Sequence, residues 1–162
     1  MSFVIKALDD DSRRSWEALY KGYATYYDMP MPEATLDTVW RWIQDGKLLQ
    51  GRIAVKDNGE AVGLMHFRSM PSPLRGAEVG FLDDLFVAPQ YRGSGVVTAL
   101  VAALKEEASA NGWPLVRWIT RENNYRARAV YDRMAEKTDW VTYQLVADYP
   151  TDTESGHVHS CS

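Results

Sequence analysis

The sequence predicts an α/β fold around one mixed, mostly antiparallel sheet, with elements in the order β-α-α-β-β-β-α-β-α-β. Three observations carry this. Two β-type runs flank Asn58-Gly59, a dipeptide favoured in tight hairpin turns, so the middle strands are antiparallel neighbours. Beyond residue 90, strand-like runs alternate with helical ones. Between these halves, a run ending at Pro89 passes through Arg92-Gly93-Ser94-Gly95 into an apolar stretch with helical spacing.

The elements follow in order. Residues 3–8 read as a first strand. "DDDS" then offers a cap and acidic residues where a helix dipole favours them. The next helix places Trp16, Leu19, Tyr20 and Tyr23 on one face. "DMPMPEA" breaks it, Thr35 caps a second helix and Gly46 ends that one. "RIAVK" and "EAVGLMHFRSM" make the hairpin, and "EVGFLDDLFVA" is the next strand. The helix after the glycine turn runs to about Asn111-Gly112. "LVRWIT" is a strand, "NNYRARAVYDRMAEK" a helix and "WVTYQLV" a last strand. Residues 1–147 are expected to form one domain and 148–162 a polar tail that packs little.

Composition narrows the function. The chain has 162 residues, 46% hydrophobic and 25% charged, which suits one soluble domain with a real core. Its net charge is −4, and Asp148, Asp152 and Glu154 near the end account for most of it. That gives no electrostatic case for nucleic acid or an anionic membrane. One cysteine, Cys161, excludes a disulfide framework and a Cys-rich zinc site. His157 and His159 lack further ligands, so no metal is expected. The N-terminus shows no signal peptide or membrane span, so a cytoplasmic protein is expected.

The glycine turn has a chemical reading. A helix N-terminus offers unpaired N–H groups and a positive dipole end, which suit phosphate oxygens. Gly93 and Gly95 let an anion approach the backbone, and Arg92 adds a fork-shaped positive charge. No Lys follows Gly95, which excludes a P-loop, and the spacing is not that of a dinucleotide fingerprint. A tight strand-to-helix connection is the plainer alternative.

Arg92-Gly93-Ser94-Gly95-Val96-Val97 resembles the signature of the GNAT superfamily of acyl-CoA-dependent N-acyltransferases, with Val97 departing from the usual Gly or Ala. A second match supports it: Asn124 opens the next helix and Tyr131 follows seven positions later. "YDRMAEKT" resembles a branch that includes fungal enzymes acting on histones, polyamines or D-amino acids. The resemblance implies a V-shaped splay between the strands at 78–87 and 115–120, with acetyl-CoA as co-substrate in the opening. It implies that Gly93, Ser94, Gly95, Val96, Val97 and Thr98 meet the pyrophosphate. Backbone groups of Leu85, Phe86 and Val87, and Asn124, hold the pantetheine arm. Tyr131 donates a proton to the leaving thiolate.

The acceptor amine must lose a proton before it attacks. "FLDDLFV" supplies Asp83 and Asp84 at the centre of that strand. Alternation lets only one of them face the substrate. By the resemblance Asp83 is the base, directly or through water, with Asp84 the second choice. A structural role, neutralising an Arg such as Arg75 or Arg117, is the alternative. His66 either lines the site or is a packed strand histidine. The tyrosines at 20, 23, 26 and 27 are substrate wall or core. The expected activity is direct acetyl transfer to a small primary amine, amino acid or polyamine. A protein-lysine acetyltransferase and a non-catalytic acyl-CoA sensor are the alternatives, and a homodimer is a family-based expectation.

Overall fold

The computed structural model describes residues 2–148. The expectation of a polar tail falls almost wholly outside them, as do His157, His159 and Cys161. The chain divides into two compact units, residues 1–118 and 119–162.

The first unit holds a five-stranded sheet in the order β1-β2-β3-β4-β5. The strands are β1 (Phe3–Ala7), β2 (Gln50–Lys56), β3 (Ala61–Ser72), β4 (Ala77–Val87) and β5 (Val116–Arg117). The first three pairings are antiparallel and β4–β5 is parallel. The β2–β3 hairpin turns at Asn58-Gly59 as expected. Gly59 has φ +84° and its N–H donates to the Lys56 carbonyl at 2.9 Å.

Helices α1 (Arg13–Tyr26) and α2 (Glu33–Asp45) cover one core. There Trp16, Leu36, Trp40 and Ile43 pack with Ile53, Leu64 and Phe86. A second core holds α3 (Val96–Asn111), whose Val96, Leu100 and Leu104 meet Met65, Phe67, Leu82 and Trp113. Burying a Leu- or Phe-sized side chain contributes about 1.5–3 kcal/mol, so these two layers hold the sheet in place. Gly46 (φ +74°) and Gly112 (φ +69°) end α2 and α3 in the left-handed region, where the sequence puts their stops. Helix α2 begins at Glu33, two residues before the expected cap Thr35; Pro32 is the N-cap, and its carbonyl accepts from the Leu36 N–H at 3.2 Å.

Two expectations need correction. The strand expected at 115–120 pairs only through Gly80↔Val116 and Phe81↔Arg117. The last strand expected at 140–146 does not form; those residues have no regular structure, and Trp140, Val141, Tyr143, Leu145 and Val146 are exposed. A β-prone run becomes a strand only where an edge pairs with it, and local pattern cannot supply the edge. The second unit's regular element is α4 (Tyr125–Met134), shorter than the helix expected from 123 to 137. None of the described helices is long and apolar enough to cross a membrane.

Candidate active site

The site starts from an irregularity in β4. In the β3–β4 ladder His66 faces Asp84 and Phe67 faces Leu82, so Asp83 has no cross-strand partner. This is a β-bulge, which suspends strict alternation. As a result Asp83 and Asp84 line the same cavity, of about 320 Å³. The expectation that only one carboxylate faces the site is corrected by this extra residue. The cavity's polar side is completed by Tyr20 and Arg68, and its apolar side is Val39, Trp42, Leu48 and Leu49. A second cavity, of about 370 Å³, lies by Leu8, Ile43 and Gly51. Its charged residue, Arg52, is already engaged by Glu107.

The two carboxylates differ in their surroundings. Asp84 Oδ2 lies 2.8 Å from His66 Nδ1 and accepts from the Tyr20 hydroxyl at 3.1 Å. The Tyr23 hydroxyl is also directed at it. His66 is fully buried, and its Nε2 accepts from the Trp16 indole N–H at 2.8 Å. An indole nitrogen can only donate. The ring proton of His66 therefore sits on Nδ1, toward Asp84. This is a packed histidine with both nitrogens engaged, and no lone pair is left for a substrate proton. Burial opposes ionisation of Asp84, but the hydrogen bonds from His66, Tyr23 and Tyr20 outweigh it and hold the carboxyl below its ordinary range. Burial, with Asp84 close by, pushes the Tyr20 and Tyr23 hydroxyls far up, so both remain protonated donors.

Asp83 is the open member. Its side chain is 29% exposed against 17% for Asp84, and among the described residues its ion-pair partner is Arg68, at 3.0 Å. Burial pushes its carboxyl up, and Arg68 only partly restores it. It is the better proton acceptor of the two. The expected partners Arg75 and Arg117 are not the ones used. Arg68 was missed because its position follows from register: it faces Phe81, two residues from Asp83 and within diagonal reach across the ladder.

Beyond the carboxylates, β5 ends at Arg117, so Leu85, Phe86 and Val87 pair with Met65, Leu64 and Gly63 but have no β5 partner. That leaves one edge of β4 open where the chain approaches the glycine turn. Gly93 (φ +77°) and Gly95 (φ +91°) take conformations that side chains disfavour, and a Cβ added at either would meet nothing within 4 Å. The first bond of α3 runs from the Ala99 N–H to the Gly95 carbonyl at 3.1 Å, and no side chain caps the helix. The N–H groups of residues 96–98 therefore precede the ladder. Val96 is buried and Val97 packs into the second core. The unusual Val97 thus points into the protein and leaves the helix end clear. Arg92 lies over the Tyr26 ring at 5.4 Å and makes no ion pair among the described residues. Open space, free N–H groups and an unneutralised guanidinium fit a diphosphate.

In the second unit Asn124 stands at the N-cap position of α4; its side chain makes no capping bond, and its Nδ2 donates to Thr120 Oγ1 at 3.3 Å. Tyr131 lies seven residues on, on the same face of the helix, and is half-buried. Among the described residues no group of three or more His, Cys, Asp or Glu side chains could hold a metal ion.

A mostly antiparallel sheet leads through β4, which carries the acid-lined cavity, to a glycine turn with the features that fit a diphosphate. Residues 16–135 match the model of the acetyltransferase (GNAT) family. The chain belongs to that family and is an acetyltransferase. It is 32% identical over 143 residues to a D-amino-acid N-acetyltransferase of Saccharomyces cerevisiae, covering 87% of this chain and 89% of that one. It is 33% identical over 95 residues to an aminoglycoside N(6')-acetyltransferase of Stenotrophomonas maltophilia, covering 56% of this chain and 62% of that one. The fold is shared with a ribosomal-protein-alanine N-acetyltransferase from Brucella melitensis (TM-score 0.77, 23% identity, 91% of this chain and 100% of that one). It is also shared with AAC(6')-Iy bound to a CoA bisubstrate analogue (TM-score 0.80, 22% identity, 91% and 99%).

Proposed function

We propose that the protein transfers an acetyl group from acetyl-CoA to the primary amine of a small molecule by direct attack. The observation that carries this is the bulge that opens Asp83 into a cavity on the same strand that leads to the glycine turn. The names of the relatives support small amine acceptors, among them D-amino acids and aminoglycosides.

Acetyl-CoA supplies the thioester whose acetyl carbon the amine attacks. Arg92 and the N–H groups of residues 93 and 95–98 bind the diphosphate; the expected Ser94 does not join them, because its N–H and its hydroxyl both donate to the Tyr91 carbonyl. The free β4 edge at Leu85, Phe86 and Val87, with Asn124, orients the pantetheine arm. Asp83 takes the proton from the substrate ammonium, directly or through a water, so that the nitrogen lone pair is free. Asp84 keeps its charge and draws the cation in. Tyr131 gives its hydroxyl proton to the departing sulfur, whose bond to the acetyl carbon breaks as the C–N bond forms. Residues 1–147 act as one acetyltransferase domain in this reading, which is supported by a family match running from residue 16 to residue 135 across both units. A homodimer belongs to the same reading. The exposed apolar run at 140–146 is a surface that a second copy can cover, and sedimentation tests it.

The test is CoA release from acetyl-CoA across amines, amino acids, polyamines and a lysine peptide. Gly95→Asp should abolish acetyl-CoA binding by bulk and repulsion. Tyr131→Phe should keep binding but lose turnover. Retained CoA affinity in the first variant, or undiminished turnover in the second, removes the corresponding role.

A further inference from the structure

The cavity contains a cation whose donors are only partly used by acid–base chemistry. Holding Asp83 ionised against its burial needs the charge of a guanidinium, but it leaves the two terminal nitrogens without a use. Arg68 Nε donates to both oxygens of Asp83, at 3.2 and 3.0 Å. Its Cζ lies 4.8 Å from the centre of the Phe81 ring. These two contacts fix the plane of the guanidinium. Its terminal nitrogens make no hydrogen bond and no ion pair among the described residues, and the side chain is 39% exposed where it lines the cavity. Two parallel N–H vectors from a fixed plane are the geometry that receives a carboxylate.

We infer that Arg68 is the carboxylate anchor of the acceptor site and that the acceptor is an apolar α-amino acid. This rests on the acetyltransferase reading above. The charge pattern is dipolar, with Arg68 and Asp83 in direct contact. A ligand that satisfies both must carry its ammonium and its carboxylate close together, as an α-amino acid does on its one α carbon. A polyamine or an aminoglycoside brings a second cation toward Arg68 and meets repulsion. A lysine side chain within a protein has no carboxylate next to its amine. Val39, Trp42, Leu48 and Leu49 line the same cavity and offer apolar contacts to the amino acid's side chain. Trp42 and Leu48 are exposed large hydrophobic residues, which a side chain seated there would cover.

The experiment compares leucine, as both enantiomers, with leucinamide and 3-methylbutylamine, with spermidine and an aminoglycoside alongside. The amine of the amide is the less basic, so more of it is free at about pH 8 and intrinsic reactivity favours the amide. The expected result is the reverse: kcat/KM for the better enantiomer exceeds that for leucinamide tenfold or more. In Arg68→Gln that ratio should collapse at least tenfold, chiefly through KM for the acid. Arg68→Lys should restore part of it, because it keeps the charge but not the fork. If Arg68 only tuned Asp83, acid and amide would fall together and the ratio would hold, which overturns the inference. Equal use of acid and amide by the unaltered protein also overturns it and leaves the acetyltransferase reading intact, as does a preference for spermidine or the aminoglycoside. No turnover of any acceptor with acetyl-CoA bound removes both.

Discussion

Asp83 and Asp84 are adjacent in the chain yet belong to regions of opposite character. On one side of the bulge Asp84 is enclosed by His66, Tyr20 and Tyr23, and the Trp16 indole closes the far side of His66. On the other side Asp83 opens to the cavity with Arg68 as its ion-pair partner. One unpaired residue in β4 produces this difference. It lets two like charges share a cavity while assigning one to a closed network and the other to exchange with solvent. The contrast explains how two acids in a strand can do different work: the network keeps Asp84 ionised, and the incomplete partnering of Asp83 leaves it able to take up a proton.

The largest test of the contrast is His66→Ala. It removes the ring that joins Trp16 to Asp84 and leaves buried donor and acceptor groups without partners. The expected cost is about 3–5 kcal/mol in urea unfolding. A loss below about 1 kcal/mol would mean that the enclosed side is not structural. Next comes Asp83→Asn, which should lower kcat/KM by about 100-fold while moving stability little. The deficit should be greatest at low pH and shrink as the pH rises toward the substrate's own pKa, where free amine no longer needs a base. The pH–rate profiles of Asp83→Asn and Asp84→Asn decide between the two sides. If only Asp84→Asn gives the pH-dependent loss, the assignment reverses.

What the sequence revealed follows the range of the forces involved. Helix stops at Gly46 and Gly112, the Asn58-Gly59 turn and the Arg92–Gly95 turn are local signals, and each stands where it was expected. Sheet pairing is not local. The run at 140–146 has strand character but forms no strand, and β5 keeps two of six expected residues. The same limit hid the site's grammar. Asp83 and Asp84 were visible as residues, but the bulge that turns both into one cavity depends on the β3–β4 register. So does the Arg68 partnership, since Arg68 reaches Asp83 only across the ladder. Trp42 and Leu48 join the cavity lining only through tertiary packing, which no local pattern shows.

A smaller effect is expected at Tyr20, which touches both regions. Its hydroxyl donates to Asp84 and its ring lines the cavity. Tyr20→Phe removes one of the donors to Asp84, for about 1 kcal/mol of stability, and keeps the wall. Turnover should fall less than in Asp83→Asn. An equal or larger fall would place the hydroxyl in the reaction rather than in the network.

The smallest effect is in the pH dependence of stability, where the two acids should act with opposite sign. The folded pKa of Asp84 lies below its unfolded value, so its contribution is full above about pH 4 and is lost as the pH falls through the folded pKa. The folded pKa of Asp83 lies above its unfolded value, so its protonated form favours folding, and that contribution is lost as the pH rises through the folded pKa. Unfolding free energy should therefore climb out of acid and then give a little back. Asp84→Asn should flatten the climb, and Asp83→Asn should remove the decline. Denaturant midpoints measured from about pH 3 to pH 7 separate the two limbs. If both variants change the same limb, the carboxylates titrate as one shared group, and the bulge brings them together without dividing their roles.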